Sequence, residues 1–187
     1  MAATPSVMLP LGTEAPKFKL YDTVSGQWKS YDDIKGEKGT LVMFICNHCP
    51  YVKHVNDELV RVANDYLPKG IGFAAISAND ITRYPEDAPE LMKETAEKLG
   101  YPFPYLYDET QDVARAYQAA CTPDFFLFNG NDKLVYRGQL DDSRPGNGKP
   151  VTGADLRRAL DALLQGKTIP EEEQKPSIGC SIKWKEA

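Results

Sequence analysis

The chain has 187 residues, which suits one domain of ordinary size with a real hydrophobic core. Hydrophobic residues make up 42%, charged residues 26%, and the formal net charge is −5, so the composition is globular and argues against nucleic-acid binding. No apolar segment approaches the ~20 residues of a membrane span, and the N-terminus lacks the pattern of a secretory signal, so we expect a cytoplasmic protein with no membrane contact.

The first part of the chain predicts a hairpin, a buried strand and a helix. Alternating residues between positions 18 and 31 turn at Gly26, which is typical of a β-hairpin. The run "TLVMFI", residues 40–45, is apolar throughout, which indicates a central strand buried on both faces. Apolar residues then recur at spacings of three and four from position 52 to 66, which predicts an amphipathic helix.

The second part of the chain alternates strands and helices and ends in a hairpin and a helix. The predicted elements are a buried strand at 71–80, a helix at 88–100, an extended segment at 103–109, a short helix at 110–119, paired strands at 125–128 and 134–136, and a helix from Thr152 or Asp155 to Leu164. This order favours an α/β sheet with helices on both faces, closed by an antiparallel hairpin. We assign residues 1–170 to one domain and 171–187 to a C-terminal tail.

The stretch "FICNHCPYVKHV", residues 44–55, holds two cysteines three positions apart and both histidines of the chain. It allows a redox dithiol, a metal site or a core segment that happens to contain sulfur. If the helix starts near Cys46, its free N–H groups and its dipole favour a thiolate there. Cys49, one turn later, can then attack a mixed disulfide on Cys46, and His48 can add a positive charge or a hydrogen bond.

A metal site is the second interpretation, but the motif alone does not supply the ligands. Its cysteines and histidines, including His54, lie too close in sequence to form a tetrahedral cage on one helix. Cys121 or Cys180 would have to complete such a site. A C-x-x-C motif at a strand-to-helix junction favours the dithiol over both alternatives, so we predict no metal and no other cofactor.

The N-terminal stretch up to "CNHCP", with the later "CTPDFFLF", resembles the thioredoxin-like superfamily, in its peroxiredoxin-like redoxin branch of the alkyl hydroperoxide reductase and thiol-specific antioxidant type. The resemblance covers about residues 11–167 and implies a thioredoxin-like fold, with a central mixed β-sheet, flanking helices and an N-terminal hairpin extension. It implies that Cys46 is the nucleophile, Cys49 the resolving cysteine and Pro123 the cis proline after Thr122. The backbone beside that proline would pair with an extended substrate.

If the chain is aligned as a peroxiredoxin, the two cysteines of the motif take different roles. The peroxidatic pattern P-x-x-x-T-x-x-C then ends at Cys49, with Cys46 in place of the Thr and Val42 in place of the Pro. Arg115 and Arg144 are the candidates for the activating Arg. Losing the Thr hydroxyl argues against efficient peroxide reduction, and gaining a sulfur at Cys46 favours dithiol exchange.

Two further cysteines are candidate accessory thiols. Cys121 lies two residues before Pro123, so the resemblance places it near the dithiol, either as a thiol of the site or as a small buried residue. Cys180 lies in the tail, where it is either an extra resolving thiol or an apolar anchor.

The preferred function is a thiol-disulfide oxidoreductase with Cys46, Cys49, His48, Thr122 and Pro123 as its catalytic residues. A thiol peroxidase with Cys49 peroxidatic and a non-catalytic metal-binding or redox-sensing module are the alternatives. We expect a protein or small-molecule disulfide or a peroxide as substrate, a thioredoxin- or glutathione-type electron donor, and a monomer or homodimer.

Overall fold

The computed structural model describes residues 3–186, which form a mixed β-sheet with helices on both faces. The strands are β1 (Ala3–Pro5), β2 (Lys19–Asp22), β3 (Trp28–Ser30), β4 (Gly39–Phe44), β5 (Ile71–Ser77), β6 (Tyr105–Tyr107), β7 (Cys121–Thr122), β8 (Asp124–Asn129), β9 (Leu134–Gly138) and β10 (Ile178–Ser181). The helices are α1 (Tyr31–Ile34), α2 (Pro50–Lys53), α3 (Asn56–Tyr66), α4 (Pro89–Leu99), α5 (Asp112–Ala116) and α6 (Ala154–Leu164).

The main sheet has seven strands in the order β3-β2-β6-β5-β4-β8-β9. β4, β5 and β6 run parallel, and β8 and β9 continue the sheet as an antiparallel hairpin. β2 and β3 form the predicted N-terminal hairpin. The α/β class, the hairpin and the central place of β4 are therefore confirmed. No helix among residues 3–186 combines the length and the apolarity needed to cross a membrane.

Side chains of β4 alternate between two hydrophobic clusters, one on each face of the sheet. Leu41 and Met43 pack in the cluster that contains α3 and α6, whereas Val42 and Phe44 pack with aromatic residues near α1 and α5. All six residues of β4 are buried, as a central strand requires. Because β4 is held on both faces, the cysteine motif that follows it has a fixed position at the edge of the sheet.

The helix after β4 begins later than the sequence suggested. The prediction placed its start near Cys46 and continued it without a break to position 66. The structure starts α2 at Pro50, with Cys49 as the N-cap residue, and begins α3 at Asn56. Proline is favoured at the first helical position because an N–H there would have no partner within the helix and because the φ of proline is already helical. The N-terminus of the helix therefore lies at Cys49 rather than at Cys46.

The tail supplies a strand that the sequence did not predict. β10 is the central strand of a three-stranded sheet, β1-β10-β7, and pairs antiparallel with both neighbours. Its four residues are too few for a period to appear in the sequence. The C-terminal segment therefore returns to the strand that precedes Pro123.

Candidate active site

The two cysteines of the motif converge on the peptide between Thr122 and Pro123. Cys46 Sγ lies 3.7 Å from Thr122 Oγ1, and Cys49 Sγ lies 3.5 Å from the Thr122 carbonyl oxygen. The Thr122–Pro123 bond is cis, which confirms that expectation of the resemblance. Cys46 is 2% exposed and Cys49 is fully buried, so the sulfurs sit in a dry environment where each hydrogen bond counts. Both are free thiols.

The environment of the pair favours the thiolate form of Cys49 over that of Cys46. Hydrogen bonding from the Cys46 thiol, aided by Cys180, Thr122 and the N–H of Val52, outweighs burial and lowers the pKa of Cys49 to about 5. The same hydrogen bond, then burial, raises the pKa of Cys46 well above its ordinary value. Our sequence-based hypothesis put the thiolate on Cys46. The hydrogen bonds around the pair and the start of α2 just after Cys49 favour Cys49 instead.

His48 forms a tight pair with a buried carboxylate, Asp87. Its Nδ1 lies 2.6 Å from Asp87 Oδ2, and the carboxylate also accepts from the Asn47 N–H at 2.9 Å and from Asn79 Nδ2 at 2.9 Å. The Asp87 side chain is fully buried. Because a carboxylate accepts hydrogen bonds, we assign the proton of neutral His48 to Nδ1, which leaves a lone pair on Nε2. Within residues 3–186, Nε2 is buried and has no hydrogen-bond partner.

The His48–Asp87 pair lies beside Cys46. One donor atom each from Cys46, His48 and Asp87 falls within 4.8 Å of the other two. The negative charge of Asp87 is a further cause of the raised pKa of Cys46. The pair therefore places a histidine ring, oriented by a buried carboxylate, close to the Cys46 thiol, as a general base requires.

The geometry also bears on the metal interpretation. The cluster of Cys46, His48 and Asp87 offers three donor atoms, one fewer than a closed tetrahedral site needs. His54, the other histidine of the motif, contacts Ser143 Oγ through Nε2 at 2.7 Å, so its ring is engaged elsewhere. The ligand set considered from the sequence is therefore not assembled.

Sequence reasoning missed Asp87. It lies in a short 3-10 turn, residues 85–87, within an ordinary acidic loop, and nothing in its neighbours marks it. The nearest signal was Asn79 at the C-terminal end of β5, where α/β sheets commonly bind ligands. The structure joins that residue to the site, because its side-chain amide donates to Asp87.

The two accessory cysteines differ in what their sulfurs touch. Cys180 is the antiparallel partner of Thr122, and its thiol is hydrogen-bonded to Cys49. The Cys121 thiol instead donates to the Pro123 carbonyl oxygen at 3.8 Å. Burial, reinforced by the charge of Asp124, raises the pKa of Cys121 far above its ordinary value. Of the two, only Cys180 has its sulfur in hydrogen-bond contact with the dithiol.

The two arginines considered from the sequence lie apart from the dithiol. Arg115 stacks over Trp184 at 4.5 Å. Arg144 donates to the Asp141 carbonyl and to Gln139 Oε1, both at 2.7 Å, and lines a small cavity of about 20 Å³ with Pro123. Arg144 thus borders the proline side of the site through a loop that its own hydrogen bonds hold in place.

The thiolate on Cys49 predicts a titration that ultraviolet absorption can follow. The reduced protein should gain thiolate absorption at 240 nm with a midpoint near pH 5, because the pKa of Cys49 is about 5. Cys46→Ala removes the strongest hydrogen bond to the anion and should raise the midpoint, whereas Cys46→Ser keeps a donor and should raise it less. Cys49→Ser should abolish the transition. Survival of the transition in that variant would place the thiolate on another cysteine.

Known proteins resemble the chain in sequence and in structure. Residues 11–137 match the AhpC/TSA family. A crystal structure of an uncharacterized conserved protein from Geobacillus kaustophilus is 63% identical and superimposes with a TM-score of 0.98, covering 100% of this chain and 98% of that one. A thiol-disulfide oxidoreductase ResA from the same species is 26% identical, covering 86% of this chain and 82% of the relative.

The fold has a more distant structural relative as well. The thioredoxin domain of a thiol-disulfide oxidoreductase from Bacteroides vulgatus superimposes with a TM-score of 0.59 at 24% identity, covering 73% of this chain and 90% of that one. The predicted thioredoxin-like fold is therefore confirmed.

Proposed function

The chain belongs to the AhpC/TSA family, and from that premise we propose that it is a thiol-disulfide oxidoreductase working through the Cys46–Cys49 dithiol. The observation that carries the proposal is the placement of two free thiols, with Cys49 at the N-terminus of α2 and hydrogen-bonded to a second thiol three residues earlier. A thiolate is the nucleophile in disulfide exchange. The name of the ResA relative supports the same activity.

In the first step, the Cys49 thiolate attacks one sulfur of a substrate disulfide. A Cys49–substrate disulfide forms, the substrate S–S bond breaks, and the departing sulfur leaves as a thiolate that takes a proton from water. Thr122 assists because its hydroxyl is hydrogen-bonded to the sulfurs of the dithiol. Pro123 fixes the backbone against which both sulfurs rest.

In the second step, Cys46 resolves the mixed disulfide. His48 Nε2 takes the Cys46 proton, and Asp87 stabilises the resulting imidazolium through Nδ1. The Cys46 thiolate attacks Cys49 Sγ, closes the Cys46–Cys49 disulfide and expels the second substrate thiolate, which takes the proton from His48. The substrate disulfide has gained two electrons and two protons: the dithiol supplies both electrons and the Cys46 proton, and water supplies the other proton.

This order of attack reverses the one that the resemblance implied from the sequence. There Cys46 attacked and Cys49 resolved. Two features support the reversal: Cys49 is the N-cap residue of α2, and the base formed by His48 and Asp87 lies beside Cys46. The base thus lies beside Cys46, whose pKa is raised, and the helix N-terminus lies beside Cys49, whose pKa is lowered.

The thiolate also indicates the direction in which the dithiol exchanges electrons. Stabilising a thiolate stabilises the reduced form, which makes the disulfide a better oxidant. The partners remain those expected from the sequence, a disulfide substrate and a thioredoxin- or glutathione-type donor. A cytoplasmic location and a monomeric or dimeric state stay predictions.

Thiol peroxidase activity is the second candidate. The position of Cys49 favours it, because the peroxidatic cysteine in the peroxiredoxin alignment is this same residue and its pKa is about 5. Peroxide would oxidise the Cys49 thiolate to a sulfenic acid and release water, and Cys46 would condense with it to the same disulfide. Dimedone capture on Cys49 after peroxide, at rates matching turnover, would establish this activity.

The experiment that tests the proposed function is a redox titration of Cys180→Ser protein in glutathione buffers, with free thiols trapped and peptides mapped. We expect one two-electron transition that joins Cys46 to Cys49, with a midpoint in the range of roughly −270 to −120 mV covered by such dithiols. Thiols that stay reduced across that range would refute the proposed function. Cys121→Ser is the matched control and should leave the midpoint unchanged, because its thiol is hydrogen-bonded to the Pro123 carbonyl rather than to a member of the pair.

A further inference from the structure

The C-terminal strand β10 takes the place that the resemblance assigns to a bound substrate. It runs antiparallel to the residues before Pro123, with Cys180 opposite Thr122 and Ser181 opposite Cys121. The approach is close, because a Cβ atom built on Gly179 would overlap the Thr122 carbonyl oxygen. The chain therefore presents its own strand, with a cysteine, at the edge where β-strand addition would seat an extended peptide.

The sulfur of that cysteine points at the dithiol. Cys180 is 1% exposed and packs in the same buried cluster as Cys46 and Cys49. Its thiol is hydrogen-bonded to Cys49 and accepts from the backbone N–H of Tyr51, in the first turn of α2. Three sulfurs thus meet at the helix N-terminus, two from the motif and one from the tail.

We infer that Cys180 is a third redox thiol of this site, which forms an internal disulfide with Cys49 from the substrate position. The inference rests on the proposed function, since it requires a Cys49 that exchanges disulfides. Cys180 would compete with external substrates for the same sulfur and would hold Cys49 oxidised while Cys46 is free.

The internal step needs no added oxidant when the dithiol is already oxidised. Cys180, as its thiolate, attacks Cys49 Sγ, the Cys46–Cys49 bond breaks, and the Cys180 proton ends on Cys46. One disulfide replaces another, so the protein neither gains nor loses electrons. Burial and the contact with Cys49 raise the pKa of Cys180 to about 12 in the reduced protein. Oxidising Cys49 removes its charge, and with it part of the cause of that shift.

The strand is fastened on both sides, which holds Cys180 at the site. β1 pairs along its outer edge, with Ala3 opposite Cys180. Just before the strand, Ser177 Oγ donates to the Gly138 carbonyl at 2.6 Å, and just after it the Ile182 N–H donates to the Ala120 carbonyl at 3.1 Å. A thiol held in this way competes with free thiols at a high effective concentration.

The test uses Cys46→Ser protein oxidised with glutathione disulfide, quenched in acid, alkylated and digested with trypsin. Oxidised glutathione is the electron acceptor. Cys49 displaces one glutathione thiol from it, and Cys180 then displaces the second glutathione thiol from Cys49. The peptides are separable, since Cys49 lies in residues 39–53, Cys121 in 116–133 and Cys180 in 168–183. We expect the peptide of Cys49 linked to that of Cys180, with Cys121 alkylated.

Two variants in the Cys46→Ser background serve as controls. Adding Cys180→Ser should leave glutathione on Cys49, and adding Cys121→Ser should leave the Cys49–Cys180 link intact. The inference is overturned if Cys46→Ser protein keeps glutathione on Cys49 with Cys180 alkylated, or if Cys49 links to Cys121. Those results leave the proposed function standing, because it depends on the Cys46–Cys49 transition of Cys180→Ser protein.

Discussion

Protein that lacks both Cys46 and Cys180 should trap a disulfide substrate covalently on Cys49. The remaining Cys49 can attack, because the serine hydroxyl at position 46, Thr122 and the Val52 N–H still donate toward its sulfur and favour the thiolate. No neighbouring sulfur in contact with it is then left to resolve the mixed disulfide. Incubating Cys46→Ser/Cys180→Ser protein with a small aromatic disulfide should release one equivalent of thiolate in a burst and then stop, which absorbance and intact mass both record.

The matched protein is Cys49→Ser/Cys180→Ser, which keeps Cys46. We expect its burst rate at pH 7 to be lower, because burial and the charge of Asp87 still raise the pKa of Cys46 after the hydrogen bond with Cys49 is lost, whereas even an unperturbed thiol would be only a few per cent ionised. A fast burst in this protein, with the adduct on Cys46, would restore the order of attack implied by the sequence. Equal slow bursts in both proteins would refute the Cys49 thiolate.

Asp87→Asn should slow the resolving step at neutral pH while leaving the first attack intact. The carboxylate orients His48 through a 2.6 Å contact and stabilises the imidazolium that forms when Cys46 gives up its proton. Losing an oriented general base typically costs about 100-fold or more. The second thiol released from the mixed disulfide, followed by stopped flow in the Cys180→Ser background, measures this step separately from the burst.

The pH dependence distinguishes a role in proton transfer from a role in structure. Asp87 is one cause of the raised pKa of Cys46, so removing its charge should lower that pKa. The variant should therefore recover its rate as pH rises and Cys46 ionises without help. Glu86→Gln, at the exposed neighbouring position, is the control and should change neither rate nor profile. An Asp87→Asn profile parallel to that of the parent protein would refute the relay.

The fold was predictable where local pattern and global packing agree. The core of β4 is apolar because the strand lies between two layers, and the paired strands at 125–128 and 134–136 are indicated by two apolar runs on either side of a turn. Even the helix cap at Gly100, in the left-handed region at φ 70°, follows from the local sequence. These features depend on neighbours in the chain, which a sequence displays directly.

The candidate site was likewise predictable in part: local motifs were visible in the sequence, and contacts between distant segments were not. The sequence by itself determined that a C-x-x-C motif follows a buried strand and that Thr122 precedes a proline. Only the tertiary structure shows the surroundings that favour a thiolate on Cys49, because they depend on where Pro50 starts the helix and on which donors surround each sulfur. It alone brought Asp87 to His48 and Cys180 to Cys49, across sequence separations of 39 residues and more. Hydrogen bonds and charges act through space, so contacts between distant segments leave no periodic trace in the chain.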